Sequence, residues 1–530
     1  MQLIKYRLDR ESRYRPNLFC RGYLITDAKL EGMDGYPFYG LWQRVVAREY
    51  EVWVHPEATV SSCTKGDWQA IMIGHAYNPY TDEISEEKIL EQILDAAAHG
   101  AKERDDAIDS LTGVFVIFLM NDRHFWATQD CGGQKMLYFG KIYNHVVLTS
   151  IPQLAGDIFD LQWDKGVERL LHTKGYYRGS GFLPGNLSPY QELTRLGANT
   201  SLTYDNTGFH ISRIYPRTFR KECVSEEEKA LVMDEIYRIF TRNISLAIQK
   251  WPRVGLSLTG GVDSKTTFAC AKGQYDRLFC YSYQSKPSEE LDAKAAKEIC
   301  RAAGAEHHLY IIPEDPAQVP DYEFLRALIE HNTSHTCKLH PNEIRKYIWL
   351  REQKDFDVEI KSDISEIGRA YTSRKYYKVR LPQILSPRHL SIGQGRYFLE
   401  PWAFRFADRT YASFMDETGL KGDILGYSMH DLVYWEVRMS SWAATSLASQ
   451  EYIHEITIPY NNRKLMDLFL RFPEEDRLED LPHKLLMLRG NLAVANLDCS
   501  VKDSYFGKKR MLLETFYYYY ATRGNTLGSK

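Results

Sequence analysis

The chain of 530 residues has nine cysteines but no Cys-x-x-Cys pair, so neither a zinc site nor a disulfide framework is indicated; the expectation for them is small buried hydrophobes. It has no uninterrupted apolar stretch near the roughly 20 residues that span a bilayer. Its opening Met1-Gln2-Leu3-Ile4-Lys5 lacks the apolar core and cleavage site of a signal peptide, which makes the cytoplasm the expected compartment. A formal net charge of -3 leaves no basic footprint for nucleic acid. What remains is an ordinary soluble composition, 44% hydrophobic, on a chain too long for one core, so two domains are expected.

The richest segment is Leu256-Ser257-Leu258-Thr259-Gly260-Gly261-Val262-Asp263-Ser264. Val254 to Leu258 is apolar enough for a buried parallel strand. Gly260 and Gly261 let backbone N–H groups approach an anion with no Cβ in the way. Ser264 to Lys272 reads as a helix whose positive end faces the same point. Asp263, a carboxylate among phosphates, makes sense as a Mg²⁺ ligand. Arg277 to Tyr283 reads as a second strand and Glu290 to Ala303 as a helix with Ala293, Ala296, Ile299 and Cys300 on one face. Strand, helix, strand, helix argues an α/β doubly wound parallel sheet that binds ligands at the carboxyl ends of its strands. No Gly-Lys-Ser/Thr follows the glycines, so this is not a Walker loop.

Residues Leu258 to Lys265 resemble the Ser-Gly-Gly-Leu-Asp-Ser-Ser signature of the asparagine synthetase and β-lactam synthetase family, with Thr259 in place of its serine. The resemblance implies that ATP is cleaved between its α- and β-phosphates, a substrate carboxylate becomes an acyl-adenylate, and an amine displaces AMP. The implied ATP contacts are Leu256, Ser257, Thr259, Gly260, Gly261, Asp263, Ser264 and, at the end of the second strand, Ser282.

The first half reads as strands at Val114 to Met120, His124 to Thr128, Lys141 to Thr149 and Thr200 to Tyr204, with helices at about Glu86 to Ala98 and Gly166 to Leu171, an α+β domain. Leu111 to Phe115, Asp130 to Tyr138 and Thr149 to Leu154 resemble landmarks of the family's glutaminase-type domain, which implies an Ntn-type four-layer sandwich over residues 1–215 and an ATP-pyrophosphatase domain over 216–530. In glutamine-using relatives a cysteine follows the initiator methionine and attacks the glutamine amide. Here that residue is Gln2, which is no nucleophile, so the expectation is a domain without glutaminase activity, nearer to β-lactam synthetases and lasso-peptide cyclases. The helix Ser225 to Gln249 opens with a capping box, Ser225 with Glu228.

The family's second acidic segment has its best counterpart in Asp357 to Arg369. Two alignments stay open, one on Asp363 as a metal ligand beside Asp263 and one on Glu366. Val501 to Lys508 resembles a segment whose lysine stabilises the charge that develops on the α-phosphate; Lys502 is the candidate, with Lys508 and Lys509 behind it. Arg438 to Arg463 reads as helical, with Pro459-Tyr460-Asn461-Asn462 in a structural role. His331, His335 and His340 form a group read as lining the acceptor pocket, the first two on one helical face. The implied cofactors are ATP and Mg²⁺. The implied partners are a small-molecule or peptide carboxylate and an amine donor, with no nucleic acid or membrane, and a homodimer is left open. A non-catalytic relative and a tRNA-modifying enzyme with the same loop are the alternatives.

Overall fold

The computed structural model describes residues 2–122, 124–178, 181–337, 339–376, 381–395, 400–498 and 508–522. Residues 23–213 form two six-stranded antiparallel sheets. One runs in the order Leu193–Arg195, Tyr138–Ile142, His145–Thr149, Tyr23–Thr26, Tyr50–Val54, Gln43–Ala47, and the other Gly208–Arg213, Thr200–Asp205, Phe125–Gln129, Thr112–Met120, Trp68–Tyr77, Val60–Lys65. Period-two alternation puts Tyr23, Ile25, Val52, Ile73, Val116 and Phe118 into the core between them. On the outer side of the second sheet, helix Glu86–His99 buries Ile89, Leu90 and Ile93 against Met72, Phe115 and Ile117. On the outer side of the first, helix Pro152–Phe159 buries Leu154 with Leu24 and Val147. Helix, sheet, sheet and helix are thus layered.

The run Lys141 to Thr149 is not one strand. It is a hairpin, Tyr138–Ile142 and His145–Thr149, because Tyr143 and Asn144 both take positive φ and turn the chain.

A third sheet is parallel throughout, in the order His308–Ile311, Leu278–Gln284, Val254–Ser257, Val358–Ile360, Glu455–Thr457. The expected capping box opens helix Glu226–Lys250, with Ser225 Oγ accepting from Glu228 N and the Glu228 carboxylate accepting from Ser225 N. Helix Glu290–Ala303 buries Ala293, Ala296, Ile299 and Cys300, as its periodicity demands. Glu455–Thr457 corrects the helical reading of Arg438 to Arg463: the segment runs π-helix Tyr434–Ala443, helix Ala444–Gln450, then this edge strand. Among the described residues no helix is long and apolar enough to cross a membrane. The eight described cysteines are all free and six are buried.

The two halves meet on the segment singled out as Pro459-Tyr460-Asn461-Asn462. Asn461 accepts from Gly132 N and donates to Gly113 O and Asp130 Oδ1, while Asn462 donates to Ser110 O. Both asparagines are fully buried, so every one of these bonds is made without competition from water.

Candidate functional site

Strand order reverses at Val254–Ser257: the chain leaves this central strand toward Leu278–Gln284 on one side and later returns to Val358–Ile360 on the other. Open parallel sheets bind ligands in the crevice at such a point, beyond the carboxyl ends of the strands. The glycine loop follows the first of these strands and the acidic segment follows the second. Two segments a hundred residues apart are therefore brought face to face.

The loop is exposed at Thr259 and Gly261 and leads into helix Val262–Cys270. That helix starts two residues earlier than the sequence suggests, which places Asp263 in its first turn, where a carboxylate is favoured by the helix dipole. Gly261, its N-cap, has φ -70° and ψ 151° and supplies no side-chain cap. Any residue can adopt this conformation, so the glycine's value here is an unobstructed approach to the helix N-terminus. The N-terminus is thus left open to an anion. Thr259 and Ser264 bridge the loop: Thr259 N donates to Ser264 Oγ at 3.2 Å, the two hydroxyls are 3.0 Å apart, and Gly261 N donates to Thr259 Oγ1 at 3.1 Å. Gly260 N donates to Asp292 Oδ1 at 3.2 Å.

Leu256 is buried within the strand and Ser257 ends it, with its hydroxyl bonded to Glu359. Ser282 is buried inside Leu278–Gln284 with its hydroxyl 2.7 Å from His307 Nε2. Lys502 lies outside the described residues, as do the side chains of Lys508 and Lys509.

Asp263 Oδ1 accepts from Ser365 Oγ, and Oδ2 accepts from Arg369 Nη1 at 2.7 Å. Ser365 and Arg369 belong to the turn Ser365–Arg369 of the acidic segment, so Asp263 stitches the two segments together. Arg369 also donates through Nε to Asp480 Oδ1 at 2.7 Å, and Asp480 takes Arg374 as well. His483 Nε2 is 4.0 Å from Asp263 Oδ1; burial pulls its pKa down to about 4, so it stands there neutral. Sequence reasoning missed Asp480, Arg374 and His483, and Arg369 entered only as the base that ends the segment.

Asp363, just before this turn, and Glu366, within it, line a cavity of about 290 Å³ together with Tyr283, Glu343, Lys346, Tyr347, Lys361 and Trp442. Burial raises the Glu366 pKa to about 8, and the charges of Asp263 and Asp363 reinforce the shift. Burial also raises Asp363, against the pull of Lys361. The three acids therefore feel one another's charge, an arrangement a cation relieves. Among the described residues no three His, Cys, Asp or Glu side chains converge closely enough to enclose a metal. Mg²⁺ keeps several waters and takes one or two carboxylates plus phosphate oxygens; Asp263 and Asp363 would be the carboxylates to hold it, Asp263 once Ser365 or Arg369 releases an oxygen.

A pH dependence follows. In the folded protein Glu366 keeps its proton up to about pH 8, whereas unfolded it loses it near 4.5, so fold stability falls as pH rises between those values. A cation beside it favours the ionised form. Glu366→Gln should remove that slope in thermal melts run between pH 4.5 and 8.

The three histidines are not arrayed as their spacing suggests. His331 ends helix Tyr322–Asn332, buried with Nε2 2.7 Å from Asp157 Oδ2. His335 lies past the helix end at φ 54°, so the two do not share a helical face, and His340 caps helix Pro341–Arg351. An aspartate of the antiparallel half thus holds His331.

Residues 236–337 match the family model described as asparagine synthase. The 7-cyano-7-deazaguanine synthase of Syntrophus aciditrophicus (strain SB) is 39% identical over 54 residues, 10% of this chain and 23% of that protein. The chain thus spans about a quarter of the length of that curated relative. Among solved structures, the allosteric regulatory enzyme of purine biosynthesis is similar at TM-score 0.25 and 9% identity, over 64% of this chain and 90% of that one. Glutamine phosphoribosylpyrophosphate amidotransferase from B. subtilis is similar at TM-score 0.23 and 10% identity, over 69% and 73%. Glutamine-dependent NAD+ synthetase from Acinetobacter baumannii is similar at 0.20 and 14%, over 35% and 33%. The matched span takes in the glycine loop and Ser282 and stops short of Asp363 and Glu366. A segment of the asparagine synthase type is therefore present in the chain, and the glycine loop lies inside it.

Proposed function

We propose that the protein is an ATP- and Mg²⁺-dependent amide synthetase that adenylates a substrate carboxylate and passes the acyl group to an amine or ammonia. The observation that carries this reading is the uncapped N-terminus of helix Val262–Cys270, set at the switch point of a parallel sheet, with Asp263 in its first turn and Asp363 and Glu366 close enough to feel that charge. Open helix amides suit the departing pyrophosphate. When bound between Asp263 and Asp363, magnesium would neutralise charge on the phosphates.

The chain's own groups divide the rest. The backbone of Thr259 to Ser264 grips the β- and γ-phosphates once the Thr259 and Ser264 hydroxyls exchange each other for phosphate oxygens. A substrate carboxylate oxygen attacks the α-phosphorus and pyrophosphate leaves. The amine nitrogen then attacks the acyl carbon, AMP leaves, and the nitrogen gives up a proton, for which Glu366 in its ionised form is the candidate acceptor in the cavity. Lys502 is the candidate cation for the α-phosphate. The division falls at 215/216, with 1–215 a glutaminase-like domain that lacks a nucleophile at Gln2.

A second reading, a non-catalytic relative, draws on one observation: both Asp263 oxygens are already engaged, by Ser365 and Arg369. Pyrophosphate release separates the two. With ATP, Mg²⁺ and a panel of acids, the synthetase releases pyrophosphate and AMP only when an acid is present, and glutamine yields no ammonia. Absence of any ATP binding ends the synthetase reading, and ammonia from glutamine ends that of the first domain.

A further inference from the structure

Arg369, on the turn Ser365–Arg369, and Arg374, on the helix Tyr371–Lys375 behind it, share one carboxylate, Asp480. Arg369 donates to it through Nε at 2.7 Å and Nη2 at 3.3 Å, and Arg374 through Nη2 at 2.7 Å. Burial pushes the Asp480 pKa up, but the two guanidiniums pull it down to about 2, so it is charged at any working pH. The second counter-charge of the cluster is Asp263, whose Oδ2 accepts from Arg369 Nη1 at 2.7 Å. Glu366, the other acid whose field Arg369 feels, keeps its proton up to about pH 8 and adds no charge below that. Two cations therefore stand against two carboxylates.

The two carboxylates are not equivalent. Asp480 grips Arg369 along its Nε and Nη2 edge, a bidentate hold that fixes the guanidinium, and it is claimed by Arg374 as well. Asp263 holds only Nη1, and it is the carboxylate that a metal at the switch point would also claim. When Asp263 turns away, Arg369 stays where Asp480 anchors it, and two cations are left against one carboxylate. Arg369 is only 16% exposed and cannot shed its proton, so the balance has to be restored by another anion. Other donors face the same space. The first-turn amides of helix Val262–Cys270 are open there. His483 is fully buried, with its Nε2 4.0 Å from Asp263 Oδ1, and neither of its ring nitrogens has a partner among the described residues.

We propose that Arg369 is a catalytic residue that binds the terminal phosphates of the nucleotide and the pyrophosphate that leaves: once Asp263 turns from Nη1 to a magnesium ion, Nη1 donates to a phosphate oxygen in its place. This rests on the magnesium–nucleotide reading given above. Without metal, Asp263 itself takes the place of the phosphate on Nη1 and keeps a free polyanion out. Removing the charge of Asp263 should therefore admit pyrophosphate without metal, which a purely structural ion pair does not do.

The test is calorimetric titration of the full chain with inorganic pyrophosphate and, separately, with AMP, each in Mg²⁺ and in EDTA. Asp263→Asn should bind metal-free pyrophosphate about tenfold more tightly than the unmodified protein, because a neutral amide holds Nη1 less firmly than a carboxylate. Adding Arg369→Gln to that variant should erase the gain. Arg369→Gln alone should weaken pyrophosphate binding in Mg²⁺ by about tenfold or more and leave AMP within about twofold, whereas Arg369→Lys should retain part of the affinity. The Asp263→Asn arm stands even where Arg369→Gln fails to fold. No gain in Asp263→Asn, a gain that persists in the double variant, equal weakening of pyrophosphate and AMP in Arg369→Gln, or no pyrophosphate binding by the unmodified protein in Mg²⁺ overturns the proposal. Acid-dependent pyrophosphate release that survives undiminished in Arg369→Gln leaves the synthetase reading standing and removes this one. Arg369-dependent pyrophosphate binding without release of pyrophosphate from ATP by any acid does the reverse.

Discussion

Asp263→Asn is expected to lower pyrophosphate release by about 100-fold or more, roughly 2.7 kcal/mol of transition-state stabilisation, while the fold survives. The two halves of that statement have separate grounds. Asparagine keeps one oxygen, which serves Arg369 Nη1 while its amide donates to Ser365 Oγ, and Arg369 retains its second partner, Asp480, at 2.7 Å. No buried cation is stranded, so the stability loss should stay near the ~1 kcal/mol of an ordinary hydrogen bond. The negative charge, by contrast, is gone, and with it one of the two carboxylates available to magnesium at the switch point. Glu366 also loses the larger of the two neighbouring charges that hold its pKa up, so its titration should move down from about 8 in the variant. Stopped-time pyrophosphate release and a thermal melt of the same preparation check both halves. Unchanged turnover removes Asp263 from the chemistry; a collapsed melt shows that its contact with Arg369 matters more to the fold than the geometry indicates.

What was legible beforehand was local. The strand at Val254, the glycine turn and the helix Glu290–Ala303 each announce themselves through periodicity or turn chemistry within about a dozen residues, and the capping box at Ser225 and Glu228 does so within four. The Tyr143–Asn144 turn stayed hidden because apolar, β-branched residues run up to it on both sides and neither residue is a glycine. Glu455–Thr457 is three residues long, too short for any period to register, and it owes its pairing to the strand Val358–Ile360 already in place. Strands such as Tyr23–Thr26 and Tyr50–Val54 are buried on both faces and lose the alternation that marks a strand with one wet face. The site divides along the same line. Its loop and acids lie in continuous segments, whereas the Asp263, Arg369, Asp480 and His483 cluster converges from positions more than two hundred residues apart and exists only once the sheet has formed. The histidine group illustrates the converse: close spacing in sequence suggested a pocket, but Asp157, brought in by the antiparallel half, claims His331 instead.

Asp109→Ala should cost the folded state about 3–5 kcal/mol, far more than the reverse truncation of its partner, Arg463→Met. Asp109 ends the helix Ala101–Asp109 in the antiparallel half, and Arg463 opens the helix Arg463–Leu470 beyond the parallel sheet. They meet at 2.6 Å with side chains only 5% and 2% exposed. Arg463 spends its remaining contacts thinly: Nε donates to Asn199 Oδ1 at 3.0 Å and buried Nη2 has no partner. Removing Asp109 therefore strands a guanidinium that cannot give up its charge and cannot reach water. Removing Arg463 strands no charge, only the neutral Asn199 Oδ1, because Asp109 retains Arg217, which also holds Asp106 at 2.5 Å. The asymmetry makes a double-mutant cycle informative: Asp109→Ala combined with Arg463→Met should recover most of the single-site loss, since the second substitution removes the stranded charge and fills its place with methionine. Denaturant midpoints of the four proteins decide it. Equal losses in the two single variants, or simple additivity in the double, would mean that the pair is solvated and that the two halves are held by the Asn461 and Asn462 bonds instead.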